Sequence, residues 1–199
     1  MEGLTSKRLV VLASGRGSNF AAIADAINSG QIPRAEIVGL ISNKKEAPVV
    51  ELAQSRKIPC AVLESNAFRK EGRFDRSSYE KELLKILRSL NPDLICLAGY
   101  LLLLGPDIIQ SYPKQIINIH PSLLPLFKGL HAQRQAILDG AKETGCTVHF
   151  VTEGLDEGPI ILQKRISIFE NDSEESLSSR LLPLEHETYI EALKKLCGS

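Results

Sequence analysis

Residues able to do chemistry gather in two short segments of this chain. In Ile117-Asn118-Ile119-His120-Pro121-Ser122-Leu123-Leu124-Pro125, strand alternation puts Asn118 and His120 on one face and the two isoleucines on the other. Pro121 holds His120 extended and ends the hydrogen-bonding ladder, so both polar groups stand at a strand end. An amide and an imidazole there can bind and polarise an oxygen atom, or they can simply anchor the loop that follows. A fixed turn beside them would suit a cis Leu124–Pro125 bond. Gly154-Leu155-Asp156-Glu157-Gly158-Pro159 reads as a turn between strands. Asp156 is either ordinary turn chemistry or a carboxylate that faces His120 and favours its charged form.

Ser14-Gly15-Arg16-Gly17-Ser18-Asn19 joins a first strand to a first helix. Its glycines allow a sharp turn and close backbone approach, and the free N–H groups of the helix start favour an anion. A dinucleotide fingerprint would want Gly or Ala where Phe20 stands, and an acidic residue near Ser42-Asn43-Lys44. No Gly-Lys-Ser/Thr follows either, so a monophosphate ester fits better than NAD or ATP.

The elements that must position these groups alternate between strand and helix. Arg8 to Ala13, Glu36 to Ser42, Cys60 to Leu63 and Asp93 to Leu97 read as buried strands. Helices are predicted over Asn19 to Asn28, Pro48 to Arg56 and Asp75 to Leu90, with a polar loop over Ser65 to Arg73. In the second half, Ile116 to His120, Thr147 to Thr152 and Pro159 to Ile168 read as strands and Leu130 to Leu138 as a helix. A closing helix over Ser173 to Leu196 is expected to be capped at Asp172 or Ser173 and interrupted by Pro183. This order predicts an α/β, Rossmann-like fold, a mostly parallel twisted sheet with helices on both faces. A single domain over 1–199 is expected, divided softly near Gly99.

The 24 basic and 24 acidic residues balance without a long run of one sign, which speaks against a duplex nucleic-acid binder. The start of the chain lacks the apolar stretch of a secretory signal. The longest apolar run, Leu94 to Leu104, falls short of the roughly 20 residues of a bilayer span. Cys60, Cys96, Cys146 and Cys197 are scattered and read as reduced core thiols. A soluble, cytoplasmic protein is expected, with neither a membrane nor a nucleic acid as partner.

Together these segments resemble the phosphoribosylglycinamide formyltransferases (glycinamide ribonucleotide transformylases) of the formyl-folate transferase family. The resemblance extends over nearly the whole chain and includes Val10 through Asn19, Leu97-Ala98-Gly99-Tyr100, Asn118 through Pro125, Gly129-Leu130-His131, Gly145 through Val151 and Leu155 through Pro159. It implies formyl transfer from the co-substrate 10-formyltetrahydrofolate to the amine of phosphoribosylglycinamide in purine biosynthesis, without a metal, by a monomer or homodimer. Asn118, His120 and Asp156 would be catalytic, with Asn118 also at the folate. Gly17, Ser18 and Asn19 would hold the phosphate and Glu185 the ribose hydroxyls. Leu101, Leu102, Leu103 and Leu104 would lie along the pterin and Arg76 would meet the acidic folate tail. Residues 1–98 would then form the nucleotide-phosphate half and 99–199 the folate and catalytic half. The chain departs from the family pattern at Leu182, where a polar or basic group toward the phosphate is common, and at Leu102, where Arg is common beside the folate. Gln133 also replaces a frequent second histidine after His131. His149 is expected to be structural or to support a residue of the site from behind, and His186 to be a helix-face residue. The rival readings are a formyltetrahydrofolate hydrolase and a non-catalytic nucleotide- or folate-binding protein. A methionyl-tRNA formyltransferase would be expected to carry a further RNA-binding domain.

Overall fold

The computed structural model describes residues 6–198. In chain order its elements are β1 (Lys7–Leu12), α1 (Ser18–Asn28), β2 (Ala35–Ser42), α2 (Pro48–Ser55), β3 (Cys60–Val62), β4 (Arg69–Lys70), β5 (Arg73–Phe74), α3 (Arg76–Leu90), β6 (Leu94–Leu97), α4 (Pro106–Ser111), β7 (Ile116–His120), α5 (Ala132–Leu138), β8 (Glu143–Phe150), β9 (Ile160–Ser167) and α6 (Glu174–Cys197). Seven strands form one sheet in the order β3-β2-β1-β6-β7-β8-β9. The pairings from β3 across to β7 are parallel, and β8 runs antiparallel to both β7 and β9. The mostly parallel Rossmann-like α/β sheet predicted above is the fold observed.

The central strand explains why helices cover both faces. Leu9, Val11 and Ala13 pack with Phe20 and Ile23 of α1, Val49 of α2, and Leu181 and Tyr189 of α6. Val10 and Leu12 turn the other way, onto Tyr79, Leu83 and Leu87 of α3 and Ile108 of α4. A strand apolar on both sides can only be central. The chain leaves β1 in one direction, to β2 and β3, and returns on its other side as β6. The connections after β1 and β6 therefore diverge, opening a crevice at the carboxyl ends of the strands. No described helix is long and apolar enough to cross a membrane. All four cysteines are free thiols, and the Leu124–Pro125 peptide is cis.

Four features differ from expectation. The predicted loop after β3 contains a 3₁₀ turn over Ser65–Phe68 and the β4–β5 hairpin. Helix α4 was not predicted; it has Pro106 and Asp107 in its first turn, a sound start signal, but it is too short to show a period. Strand β8 begins at Glu143, earlier than predicted. A Cβ on Gly145 would stand 2.0 Å from the Lys164 carbonyl oxygen, so the glycine marks close strand approach. Finally, α6 runs unbroken through Pro183. An interior proline costs about 3 kcal/mol, but α6 buries Leu177, Leu181, Tyr189, Ala192 and Leu193. At roughly 1.5–3 kcal/mol for each large side chain, that burial outweighs the proline.

Candidate active site

A cleft of ≈ 1020 Å³ opens at this crevice. That is at the top of the usual range for small-molecule pockets. Its lining brings together Gly17, Ser18, Asn19, Arg76, Leu101 to Leu104, Asn118, His120, Asp156 and Glu185. These residues come from both predicted halves of the chain.

At one end lies the turn after β1. Gly17 adopts φ 79°, and a Cβ on it would fall 2.4 Å from Val49 Cγ2, so both conformation and space demand glycine. Gly17 is the N-cap of α1, which has no side-chain cap and no acidic residue in its first turn. Its amide donors and positive dipole end are thus left for an anion. Asn19 is buried; its Nδ2 donates to Glu185 Oε2 at 3.1 Å, while its Oδ1 has no partner. Burial pushes the Glu185 carboxyl up to about 7, partly offset by the Asn19 hydrogen bond. The Tyr189 hydroxyl donates to the Leu97 carbonyl at 3.0 Å, fixing α6 against β6 one turn beyond Glu185.

The turn after β6 forms the adjoining wall. Leu101 and Leu103 are exposed, whereas Leu102 and Leu104 pack into the α3 side of the core. The segment is tied at both ends. Leu101 N–H donates to Ser14 Oγ at 3.0 Å, and Gly105 N–H donates to the buried Glu80 carboxylate at 2.6 Å. Burial raises the Glu80 carboxyl, against the lowering effect of that hydrogen bond. Arg76 begins α3 beside this wall.

The same cleft holds Asn118, His120 and Asp156. His120 Nε2 donates to the Phe127 carbonyl at 2.9 Å, and its Nδ1 lies 3.4 Å from Asp156 Oδ2. The same carboxylate oxygen accepts the Gly129 N–H at 2.9 Å. With Nε2 turned to the Phe127 carbonyl, Nδ1 is the ring nitrogen that faces the carboxylate. The amide nitrogen of Asn118 contacts His149 Nε2 at 3.4 Å, and His149 Nδ1 donates to the Phe150 carbonyl at 2.9 Å. Burial lowers the His149 pKa, against the raising effects of that bond and of Asp156. A neutral His149 with its proton on Nδ1 presents Nε2 as an acceptor for Asn118. The second Asn118 N–H is then free for a ligand.

His149, expected to be structural or to support a site residue, does the latter: it lies opposite Asn118 in the β7–β8 register and contacts its amide. Other contributors escaped the sequence reading. Thr147 lies opposite His120; it accepts from Leu124 N–H at 3.1 Å and donates to the Ser122 carbonyl at 2.6 Å, shaping the proline-rich loop. Two polar residues alternating within the apolar run Cys146 to Val151 were the available signal. Phe127 has φ 53°, a rare conformation for a bulky residue, and it turns its carbonyl onto His120. Glu80 looked like one more charge on a surface helix. Leu182 and Gln133, two of the departures noted above, also line the cleft.

Comparison with known proteins agrees with this architecture. Residues 7–193 match the family model described as formyl transferase. The phosphoribosylglycinamide formyltransferase of Bacillus subtilis is 41% identical over 192 residues, 96% of this chain and 95% of that protein. The trifunctional purine biosynthetic protein adenosine-3 of Drosophila melanogaster is 42% identical over 191 residues, and this chain spans 14% of its length. A crystal structure of glycinamide ribonucleotide transformylase 1 from Symbiobacterium toebii superimposes with a TM-score of 0.91 at 39% identity, covering 98% of this chain and 89% of that one.

Proposed function

Because the chain belongs to the formyl transferase family, we propose that it transfers a formyl group from 10-formyltetrahydrofolate to the amine of phosphoribosylglycinamide. The observation that carries this is the convergence, in one cleft, of an uncapped helix start, an apolar wall suited to a flat ring, and Asn118, His120 and Asp156. The protein so read is a cytoplasmic enzyme of purine synthesis acting on two small molecules.

The phosphate would lie against Gly17, Ser18 and Asn19, with the ribose hydroxyls at Glu185. The pterin would lie along Leu101 to Leu104 and the acidic tail of the folate would face Arg76. The substrate amine attacks the formyl carbon, a C–N bond forms, and the carbonyl electron pair moves onto oxygen. The free Asn118 N–H and the Nδ1–H of His120 can both donate to that oxygen. Nδ1 is the ring donor available for this, since Nε2 is already engaged by Phe127. Its contact with Asp156 is long enough to be shared with a ligand, and such bonds often tighten only in the complex. The ammonium proton lost by the attacking amine is returned to the departing folate nitrogen through His120 or a water it orients. The C–N bond to folate then breaks and the carbonyl reforms. Asp156, held by the Gly129 N–H, steadies the ring while it carries the extra proton, before it gives that proton to the folate nitrogen and after it takes the one from the amine.

Incubation with both substrates, following the folate absorbance, tests the proposal. The His120→Ala and Asp156→Asn variants should each lose roughly 10²–10⁴-fold in turnover, with nucleotide binding retained. Normal turnover in His120→Ala would refute its role. Consumption of formyl-folate without nucleotide would indicate a hydrolase, and binding without turnover a non-catalytic module.

A further inference from the structure

The nucleotide end of the cleft holds a cation that the fold leaves unused. Arg16, between Gly15 and Gly17, is exposed and lines the cleft. Its guanidinium makes no hydrogen bond, ion pair or ring contact with any described residue. The uncapped N-terminus of α1 follows it in the chain, and the buried Oδ1 of Asn19, on the same cleft wall, has no partner. The facing wall, from α6, contributes Glu175, Ser178, Ser179, Leu182 and Glu185, none of them cationic. Arg76, the other Lys or Arg on the cleft wall, starts α3, which packs on the opposite face of the sheet from α1 and α6.

A phosphate monoester carries a charge of about −1.5 to −2 at pH 7, while a helix start offers roughly +0.5. Most of the anion's charge is therefore unmatched without a side-chain cation. Position 182 is one turn before Glu185, whose carboxylate bonds to Asn19; it faces the same helix end and supplies only a leucine. We infer that Arg16 is the counter-charge of the substrate phosphate and sets the preference for the phosphorylated over the unphosphorylated ligand, an inference that rests on the formyl-transfer reading for the identity of that ligand. Its planar fork can meet two phosphate oxygens at once.

Calorimetric Kd values for phosphoribosylglycinamide and for its dephosphorylated ribonucleoside test this in the full chain. Arg16→Ala should shrink the Kd ratio between the two at least tenfold, with the ribonucleoside Kd within twofold of wild type. Adding Leu182→Lys to Arg16→Ala should restore most of the ratio, because a cation then enters from the facing helix. A ratio within threefold of wild type in Arg16→Ala, or equal weakening of both ligands, would overturn the assignment. Wild-type protein that prefers the phosphorylated ligand through Arg16 but transfers no formyl group would sink the reaction and leave Arg16 in place. An active enzyme whose preference survives Arg16→Ala would do the reverse.

Discussion

At the scale of single residues, Glu185 is the group whose protonation should be visible in solution. Its carboxyl is pushed up to about 7 by burial, against a usual 4.5. The unfolded chain sheds this proton near the ordinary value while the folded chain keeps it to about 7. Folding stability therefore falls as pH rises between those limits and levels off above them. Glu185→Gln should remove that slope and gain at most about 3 kcal/mol above neutrality, readable by urea denaturation at several pH values. Ribose hydroxyls donate, so a bound nucleotide favours the anion. Wild-type affinity for phosphoribosylglycinamide should then climb more steeply from pH 6 to 8 than that of Glu185→Gln. The phosphate's own titration is common to both proteins and cancels in the comparison. Equal slopes would remove Glu185 from the ribose site.

At the scale of elements, α6 carries a proline that its packing overrides. Pro183→Ala restores an N–H donor and removes a steric conflict with the preceding turn. It should stabilise the fold by about 2 kcal/mol, raising Tm by roughly 4–8 °C for a chain of this size. A lowered Tm would mean that the helix geometry around residue 183 depends on the proline ring. The sequence made the length of α6 hard to judge, because a breaker is visible in a string of residues and compensating tertiary contacts are not. The same holds for β8, where Gly145 serves close approach to β9. Strand β1 was legible for the opposite reason: a run apolar on both faces has few ways to be satisfied.

At the scale of the molecule, the soft division near Gly99 crosses a continuous sheet. β6 from the first half pairs with β7 from the second, and Tyr189 of α6 shares a core with Phe20 of α1. Denaturation should therefore give one transition, coincident by far-ultraviolet circular dichroism and tyrosine fluorescence. Two separated transitions would restore an independent boundary. The site was legible where chemistry sat in one contiguous run, as in Asn118 to Pro125. Thr147 and Glu80 were not, since each acts through a partner distant in sequence, and Phe127 was not because its part depends on an unusual backbone angle. The pairing of Asn118 with His149 and of His120 with Thr147 makes chain length a fragile variable here. One residue inserted or deleted within β8 would invert every following side chain, hiding the imidazole among helices and turning valine toward the reactants. Drift by substitution can be gradual along this strand pair, whereas drift by indel is all or nothing.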